Sequence, residues 1–410
     1  MGVSRRGFLR STAGFAALLA SRAAGQGADV PAEAGAPGPV FARERRGDMT
    51  YRRLGRTNLM ISEVALGGSP QPDEPLFRQA IDRGINYIDA SPAYGKGNCE
   101  RVIGQVTQGI RDRFLITTKI HPDIYPTAAE MIGQVEDSLQ RLSTDYVDIL
   151  QIHGAGSAEM LDREEVLSAF DTLRGQGKIR FTGLTCHADP VTVCGHAIDS
   201  GHYDVITVAY NAYAAERQGS VYDDFLSECG IAGLIGRAVE HDVGAIAMKS
   251  QAGGDLQNLA PFSAEGVSLA QAKLRWVLSN PSLTAVITEI VTEQQLDEDL
   301  AVVGTPPSDA EQAALGCHVA ATWSSVCRMC GLCSQACPQG VAVADILRYE
   351  RYYTGYGRPS EARVAYAALP ESKRGSACSG CGTCEQVCRY GLRVRERVAQ
   401  AHRTLVTASA

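Results

Sequence analysis

Eight of the thirteen cysteines in the chain fall in two runs of one spacing, Cys-x2-Cys-x2-Cys-x3-Cys. The first is Cys327, Cys330, Cys333 and Cys337, followed by Pro338; the second is Cys378, Cys381, Cys384 and Cys388, followed by Arg389. A cubane iron–sulfur cluster takes three thiolates from one tight loop and a fourth from elsewhere, and where two such runs occur the fourth cysteine of each ordinarily ligates the other cluster. The spacing therefore predicts two [4Fe–4S] clusters, one on Cys327, Cys330, Cys333 and Cys388 and the other on Cys378, Cys381, Cys384 and Cys337. Disulfides and zinc also use paired cysteines, but neither accounts for two matching runs of four. Cys99, Cys186, Cys194, Cys229 and Cys317 lack such spacing and read as small packed thiols.

A second set of residues could move protons: Asp89 and Tyr94 in YIDASPAYG, Lys119 in FLITTKI and His153 in VDILQIHG. Taken singly, each has a structural reading, as a helix cap, rim packing, a solvated strand end and a satisfied polar group. Taken together they make an acid–base set. A tyrosine hydroxyl, with a pKa of about 10, becomes a usable proton donor near neutral pH when a neighbouring ammonium stabilises its phenolate. Asp89 would hold Lys119 charged, and His153 would orient a substrate oxygen.

The elements that must position these residues follow from the hydrophobic pattern. From Met49 to about Gly304, short β-branched runs alternate with helical periodicity, the pattern of βαβ units. Strands are predicted at 64–66, 87–89, 114–118, 147–152, 181–184, 205–209, 245–248 and 285–288. Eight strand–helix pairs in about 250 residues match a TIM barrel, whose active site lies at the C-terminal strand ends, where Asp89, Lys119 and His153 stand. The rival, a doubly wound sheet, lacks a Gly-x-Gly-x-x-Gly after its first strand. Between the cysteine runs, apolar and aromatic residues at helical spacing predict two short helices over the clusters. The predicted organisation is a signal and linker over 1–48, a (β/α)8 barrel over 49–305 and a small, mainly helical ferredoxin-like domain over 306–410.

With these motifs in place the chain resembles the aldo-keto reductase family, in the branch with a C-terminal ferredoxin-like domain. YRRLGRTNLMISEVALGG resembles that family's N-terminal hairpin and first strand, and Asp89, Tyr94, Lys119 and His153 match its catalytic tetrad. The resemblance implies proton transfer by Tyr94 beside hydride transfer from a nicotinamide to a carbonyl, or the reverse from an alcohol. The nicotinamide positions depart from the family's pattern. Thr185-Cys186 stands where Ser-Asn is usual, Thr207 replaces a Gln, and Met248, before Lys249, replaces a stacking aromatic. After the last strand, Glu289, Ile290, Gln295 and Asp299 replace the groups that hold an adenosine 2′-phosphate. Two acids there would repel a phosphate, which disfavours NADP. They leave either a tightly held NAD(H), with an acid on the ribose 2′-hydroxyl, or no soluble nicotinamide at all.

At the N-terminus, MGVSRRGFLRSTAGFAALLASRAAG has a basic segment, a weakly apolar stretch and then small residues, the layout of an export signal. Ser4, Arg5, Arg6, Phe8, Leu9 and Arg10 reproduce the twin-arginine pattern, which is read by machinery that exports folded proteins. Ala-, Gly- and Pro-rich sequence to Asp48 reads as a linker. Clusters are inserted in the reducing cytoplasm, so export of a folded, loaded protein to the periplasm or cell exterior is consistent with both motifs. The remaining composition bounds the partners. At roughly 150 residues per domain, 410 residues make two or three units, and 45% hydrophobic with 21% charged residues excludes a disordered or collagenous chain. A net charge of −7 implies no broad basic surface for nucleic acid. The longest apolar stretch, residues 14–20, falls short of the roughly 20 residues of a membrane span. The expected partners are a small carbonyl or alcohol substrate, a redox partner protein and the export machinery. Two other functions stay open: a non-redox lyase, isomerase or hydrolase using Tyr94 and Lys119, and an electron-transfer module with the barrel as scaffold.

Overall fold

A computed structural model describes residues 41–187, 189–214, 230–251 and 268–406. The signal sequence and Cys229 lie outside the described residues. Chain order begins with a hairpin sheet of β1 (Arg43–Arg46), β2 (Met49–Arg53) and β3 (Met60–Ser62). β1 falls inside the segment read as linker. Its four residues are all exposed, so no hydrophobic alternation marks it, and only its pairing with β2, Arg43 opposite Arg52, makes it a strand.

Eight parallel strands then close a barrel: β4 (Val64–Gly67), β5 (Tyr87–Asp89), β6 (Leu115–Ile120), β7 (Val147–Ile152), β8 (Ile179–Cys186), β9 (Val205–Ala209), β10 (Gly244–Met248) and β11 (Ala285–Thr288), with β11 pairing back to β4. Each coincides with a predicted strand to within two residues. Their near-continuous apolar runs are explained by burial on both faces. Inside the barrel, Leu54, Leu59 and Ile61 of the hairpin region pack with Ala65, Tyr87, Ile149, Val205, Ile246 and Ala285. The hairpin thus plugs one end and leaves the C-terminal strand ends for the site. Its buried Arg52 is neutralised by Glu63 at 2.6 Å and donates to the Leu278 and Leu283 carbonyls.

The barrel's outer layer is α1 (Glu74–Asp82), α2 (Asn98–Thr107), α3 (Ala128–Leu142), α4 (Ala158–Leu161), α5 (Glu164–Gly175), α6 (Pro190–Ser200), α7 (Ile231–Glu240), α8 (Leu269–Leu278) and α9 (Glu293–Leu300). Their apolar faces form one large core with the strands. α3 begins with a capping box between Thr127 and Glu130, which fixes the helix that later presents Gln134.

α10 (Asp309–Thr322) packs on the barrel, although it follows residue 306: Leu315 sits with Ala212 and Leu269. Beyond it come α11 (Leu332–Gln335), α12 (Val343–Thr354), α13 (Pro359–Ala367), α14 (Thr383–Gln386) and α15 (Val394–Val406). α12 and α13 are the two helices expected between the cysteine runs. The two runs are structural repeats. Gly331 and Gly382 both adopt φ +80° immediately before the matching short helices α11 and α14, a conformation other residues rarely hold. α12, α13 and α15 bury Val343, Ile346, Leu347, Ala362, Tyr366 and Val398 in a separate core that includes Cys333 and Cys384. The barrel and this helical layer belong to one compact unit. Among the described residues, no helix is long and apolar enough to cross a membrane.

Candidate active site and cluster sites

Asp89 ends β5, Lys119 is the last residue but one of β6, His153 directly follows β7, and Tyr94 follows β5 by one turn. The structure brings all four together. The Lys119 ammonium, wholly buried, donates to Asp89 Oδ2 at 2.8 Å and to the Ala90 carbonyl at 2.6 Å, and reaches the Tyr94 hydroxyl at 3.4 Å. Gly68 allows this close packing: a Cβ there would stand 2.8 Å from the Asp89 carbonyl and 3.1 Å from the Tyr94 ring. The expected easing of Tyr94's acidity by Lys119 does not dominate. Burial, reinforced by the negative charge of Asp89, pushes the phenol well above its ordinary pKa. The physical reason is loss of solvent around the phenol, and the Lys119 ammonium lies closer to Asp89 (2.8 Å) than to the Tyr94 hydroxyl (3.4 Å). Tyr94 is therefore held as the neutral phenol.

His153 belongs to a relay not evident in sequence. Its Nδ1 lies 2.8 Å from His121 Nε2 and 3.1 Å from Ser91 Oγ, and the Tyr94 ring meets it edge-on at 5.7 Å. Gln134 on α3 accepts from the His121 backbone N–H through Oε1 at 3.2 Å, so its amide nitrogen faces His121 Nδ1 at 3.0 Å. An amide N–H there makes His121 Nδ1 an acceptor and Nε2 a donor, which in turn makes His153 Nδ1 an acceptor and leaves Nε2–H directed to the site. Burial and the nearby Lys119 charge keep both rings neutral, His121 at about 4 and His153 well below its usual value. A third ring, His187 at the end of β8, lies 6.4 Å from His153 and is also held neutral by burial. His121 follows Lys119 by two residues and His187 follows Cys186 by one. Those adjacencies to strand ends were the available signal.

The positions predicted to touch a nicotinamide are placed differently from one another. Thr185 Oγ1 accepts from the Gly154 N–H at 2.8 Å and Thr207 Oγ1 from Gln151 Nε2 at 3.0 Å, both hydroxyls buried within the barrel wall. Met248 ends β10, and Lys249 beside it points towards the cluster domain, its ammonium 3.2 Å from the Tyr352 hydroxyl of α12 and 3.4 Å from His187 Nδ1. Ile290 is fully buried, and Gln295 accepts from the Val291 N–H. Glu289, expected to meet a ribose hydroxyl, is paired with Arg358 at 2.6 Å, and Arg358 also donates to the Ser69 carbonyl at 2.5 Å. Burial raises the Glu289 pKa against that arginine's pull and pushes Asp299 up to about 7. The sequence comparison at these positions could not register that the cluster domain folds back over them.

A cleft of about 1280 Å³, part of it open to solvent, lies between the two domains. Cys186, His187, Asn211 and Lys249 of the barrel line one side, and Cys327, Cys330, Arg348, Tyr352 and Tyr390 the other. The domains are also joined by the Asp189 N–H to the Met329 carbonyl at 3.2 Å and by Gln335 to Asp189 at 2.8 Å.

The eight cysteines of the two runs are free thiols. Cys337, Cys378, Cys381 and Cys384 line one small cavity. Cys388 lies within electrostatic reach of Cys327, Cys330 and Cys333. The fold thus gathers the thiols in the crossed sets of four that two cubane clusters require, and the residues fit that group. Among the described residues, no three His, Cys, Asp or Glu side chains converge as a single metal ion needs; a cubane, ligated at separate corners, asks for a wider spread. Of the other cysteines, Cys99, Cys186 and Cys194 are buried and Cys317 is exposed.

Comparison with known proteins bears on the whole arrangement. The aldo/keto reductase family profile matches residues 68–316, and that of a 4Fe-4S dicluster domain matches residues 326–392. The chain is 28% identical over 278 residues to the methylglyoxal reductase YeaE of Escherichia coli, covering 66% of this chain and 91% of that protein. It is 34% identical over 151 residues to the oxidoreductase YqkF of Bacillus subtilis, covering 33% of this chain and about half (49%) of the relative's length. Among solved structures, an aldo-keto reductase from Klebsiella pneumoniae, in complex with NADP and acetate, superposes with a TM-score of 0.52 at 26% identity, over 65% of this chain and 94% of the other. The chain is an oxidoreductase that belongs to the aldo/keto reductase family and carries a 4Fe-4S dicluster domain.

Proposed function

We propose that the protein is an exported oxidoreductase that interconverts a small alcohol and its carbonyl at Tyr94, Lys119, Asp89 and His153, exchanging electrons with two [4Fe–4S] clusters rather than with a soluble nicotinamide. The observation that carries this reading is the cleft between the domains: Cys327 and Cys330 line it opposite Cys186, His187 and Lys249, and the His187 ring centre is 6.4 Å from that of His153. The placement of the nicotinamide positions supports a reading without a soluble nicotinamide. Two hydroxyls are bonded inside the wall, Met248 offers no aromatic face, and Glu289 is held by Arg358. A methylglyoxal reductase among the relatives supports the substrate class. The twin-arginine pattern at Arg5 and Arg6 supports export.

In this reading His153 donates from Nε2–H to the substrate oxygen, and Tyr94, held as the phenol, gives its proton to that oxygen as a carbonyl is reduced; alcohol oxidation runs the same step backwards from the phenolate. Lys119 fixes the Tyr94 hydroxyl, and Asp89 fixes Lys119. Tyr352 and Tyr356 roof the cleft and limit water. Alcohol oxidation releases the O–H proton and a hydride from carbon; because two clusters, when bound, would take single electrons, a tightly held two-electron carrier would accept the hydride, pass its two electrons to them one at a time and lose the proton to solvent.

Two experiments test this. Anaerobically purified protein is expected to hold about eight iron per chain and to have its clusters reduced by a small alcohol. Tyr94→Phe should slow that reduction by about 10² to 10⁴ with iron content unchanged. Wild-type rates in Tyr94→Phe, or turnover that survives loss of the clusters in Cys330→Ala, would favour the electron-transfer or the non-redox reading instead. Replacing Arg5 and Arg6 by Lys should trap folded protein in the cytoplasm; continued export in cell fractionation would refute that part.

A further inference from the structure

The cleft is unusually rich in cations. Among the described residues, Lys249, Arg328, Arg348, Arg351 and Arg389 line it together with one carboxylate, Asp189, which is tied to Gln335; Arg348 is itself ion-paired with Asp345. Lys249 is the most telling of these. It adopts φ +55°, a left-handed conformation that non-glycine residues rarely hold. Among the described residues its ammonium meets the Tyr352 hydroxyl and ring and His187 Nδ1. No carboxylate of the described residues lies within ion-pair distance of it. Burial pushes the Lys249 pKa down, as expected for an ammonium without a counter-ion. Arg348, contributed by α12, uses Nη2 on Asp345 at 2.8 Å and on the Tyr349 hydroxyl at 3.2 Å, while its Nε is buried with no partner. The barrel thus brings to this cavity an ammonium with no carboxylate partner among the described residues, and the cluster domain a guanidinium that is ion-paired with Asp345 but has one N–H unsatisfied. Leaving buried charge unpaired is destabilising, so the arrangement is one that a ligand would complete.

We propose that this cleft binds a small hydroxy or oxo acid, its carboxylate seated on Lys249 and Arg348 and its reacting oxygen on His153. The proposal rests on the preceding reading for the reacting end and on the cleft geometry for the anionic end. Lys249 Nζ lies 3.4 Å from His187 Nδ1, and the His187 ring centre is 6.4 Å from that of His153, so the His187 ring links the anionic end of the site to the reacting end. Tyr352 assists from the cluster domain: burial raises its pKa, but Lys249 and Arg348 more than offset this and the net shift is downward, so its hydroxyl is a good donor to an anion. The positive field would also draw anions into the cleft.

The test uses the full, cluster-loaded chain under anaerobic conditions, with binding read by calorimetry at two salt concentrations. The probes are 2-oxobutanoate, 2-hydroxybutanoate, inorganic phosphate and the uncharged butanone. Saturable, salt-sensitive binding of the two acids is expected, with butanone at least tenfold weaker, equivalent to about 1.4 kcal/mol. Lys249→Met and Arg348→Met should each weaken the acids at least tenfold, and Lys249→Arg should restore part of the loss; iron content and circular dichroism report whether each variant is folded. Equal affinity for butanone, absence of saturable acid binding, or acid binding unchanged in both Met variants would overturn the proposal. Phosphate binding tighter than the acids and lost in the same variants would overturn the carboxylate assignment in favour of a phosphorylated ligand. Acid binding without any change in cluster oxidation state would leave this site standing and remove the redox reading. Cluster reduction by neutral alcohols with no acid binding would do the reverse.

Discussion

The Lys119–Asp89 pair gives a test of the site that needs no substrate. Its side chains are 0% and 10% exposed and meet at 2.8 Å, while Asp89 Oδ1 is buried with no partner. Lys119→Met removes the only cation on that carboxylate, and breaking a buried pair on one side costs about 3–5 kcal/mol. Asp89→Leu leaves the ammonium with the Ala90 carbonyl and the Tyr94 hydroxyl, so its cost should sit near the lower end of that range. The double variant removes both desolvated charges and should lie between wild-type stability and about 4 kcal/mol above it. The four proteins form a cycle, read by urea unfolding of the cluster-loaded chain with far-UV circular dichroism, and the coupling should be about 3 kcal/mol or more. All three variants should nevertheless lose about 10² or more in rate, because Tyr94 loses the group that fixes it. A stable, inactive double variant would mark the pair as kept for chemistry at a cost in stability. A Lys119→Met loss below about 1 kcal/mol, with the double variant equal to the sum of the singles, would refute the reasoning.

Three further outcomes follow from the geometry. Asp299, pushed from 3.8 to about 7 by burial, remains protonated in the folded state where the unfolded chain has already ionised, so it subtracts stability as pH rises from about 4 to 7, by up to roughly 4 kcal/mol at 1.36 kcal/mol per unit. Asp299→Asn should match wild type at pH 4 and exceed it progressively to pH 7; a pH-independent difference in urea midpoint refutes this. Gln134→Glu replaces the amide donor facing His121 Nδ1 by an acceptor, which reverses the relay. Nitrogen-15 spectra should then show His153 Nε2 without its proton and turnover should fall by about 10², whereas an unchanged Nε2 signal means the relay does not set the tautomer. Cys388→Ala should perturb the cluster held by Cys327, Cys330 and Cys333 and spare the one lined by Cys337, so low-temperature electron paramagnetic resonance should lose one of two signals; loss of the other would invert the crossed assignment.

Much of this protein was legible in the sequence because its information is local. Eight buried parallel strands announce themselves as apolar runs. The Cys-x2-Cys-x2-Cys-x3-Cys spacing fixes three thiols on one loop before any tertiary contact forms. Asp89, Lys119 and His153 could be read because each stands at or directly beside the end of such a strand, and barrel closure brings strand ends to one face. What the sequence could not supply depends on pairings between distant segments. β1 is a strand only because Arg43 to Arg46 pair with β2. Tyr94's acidity turned on burial and on the negative charge of Asp89 beside it. His121 gained its role from Gln134 on a neighbouring helix. Above all, Glu289 reads from sequence as an acid facing a cofactor, and only the fold places it against Arg358, some seventy residues later, with Lys249 against Tyr352 in the same interface. Spacing along the chain determines which groups a loop can gather, but the field at a buried group is set by every charge packed against it, and those charges arrive from segments whose positions only the tertiary structure decides.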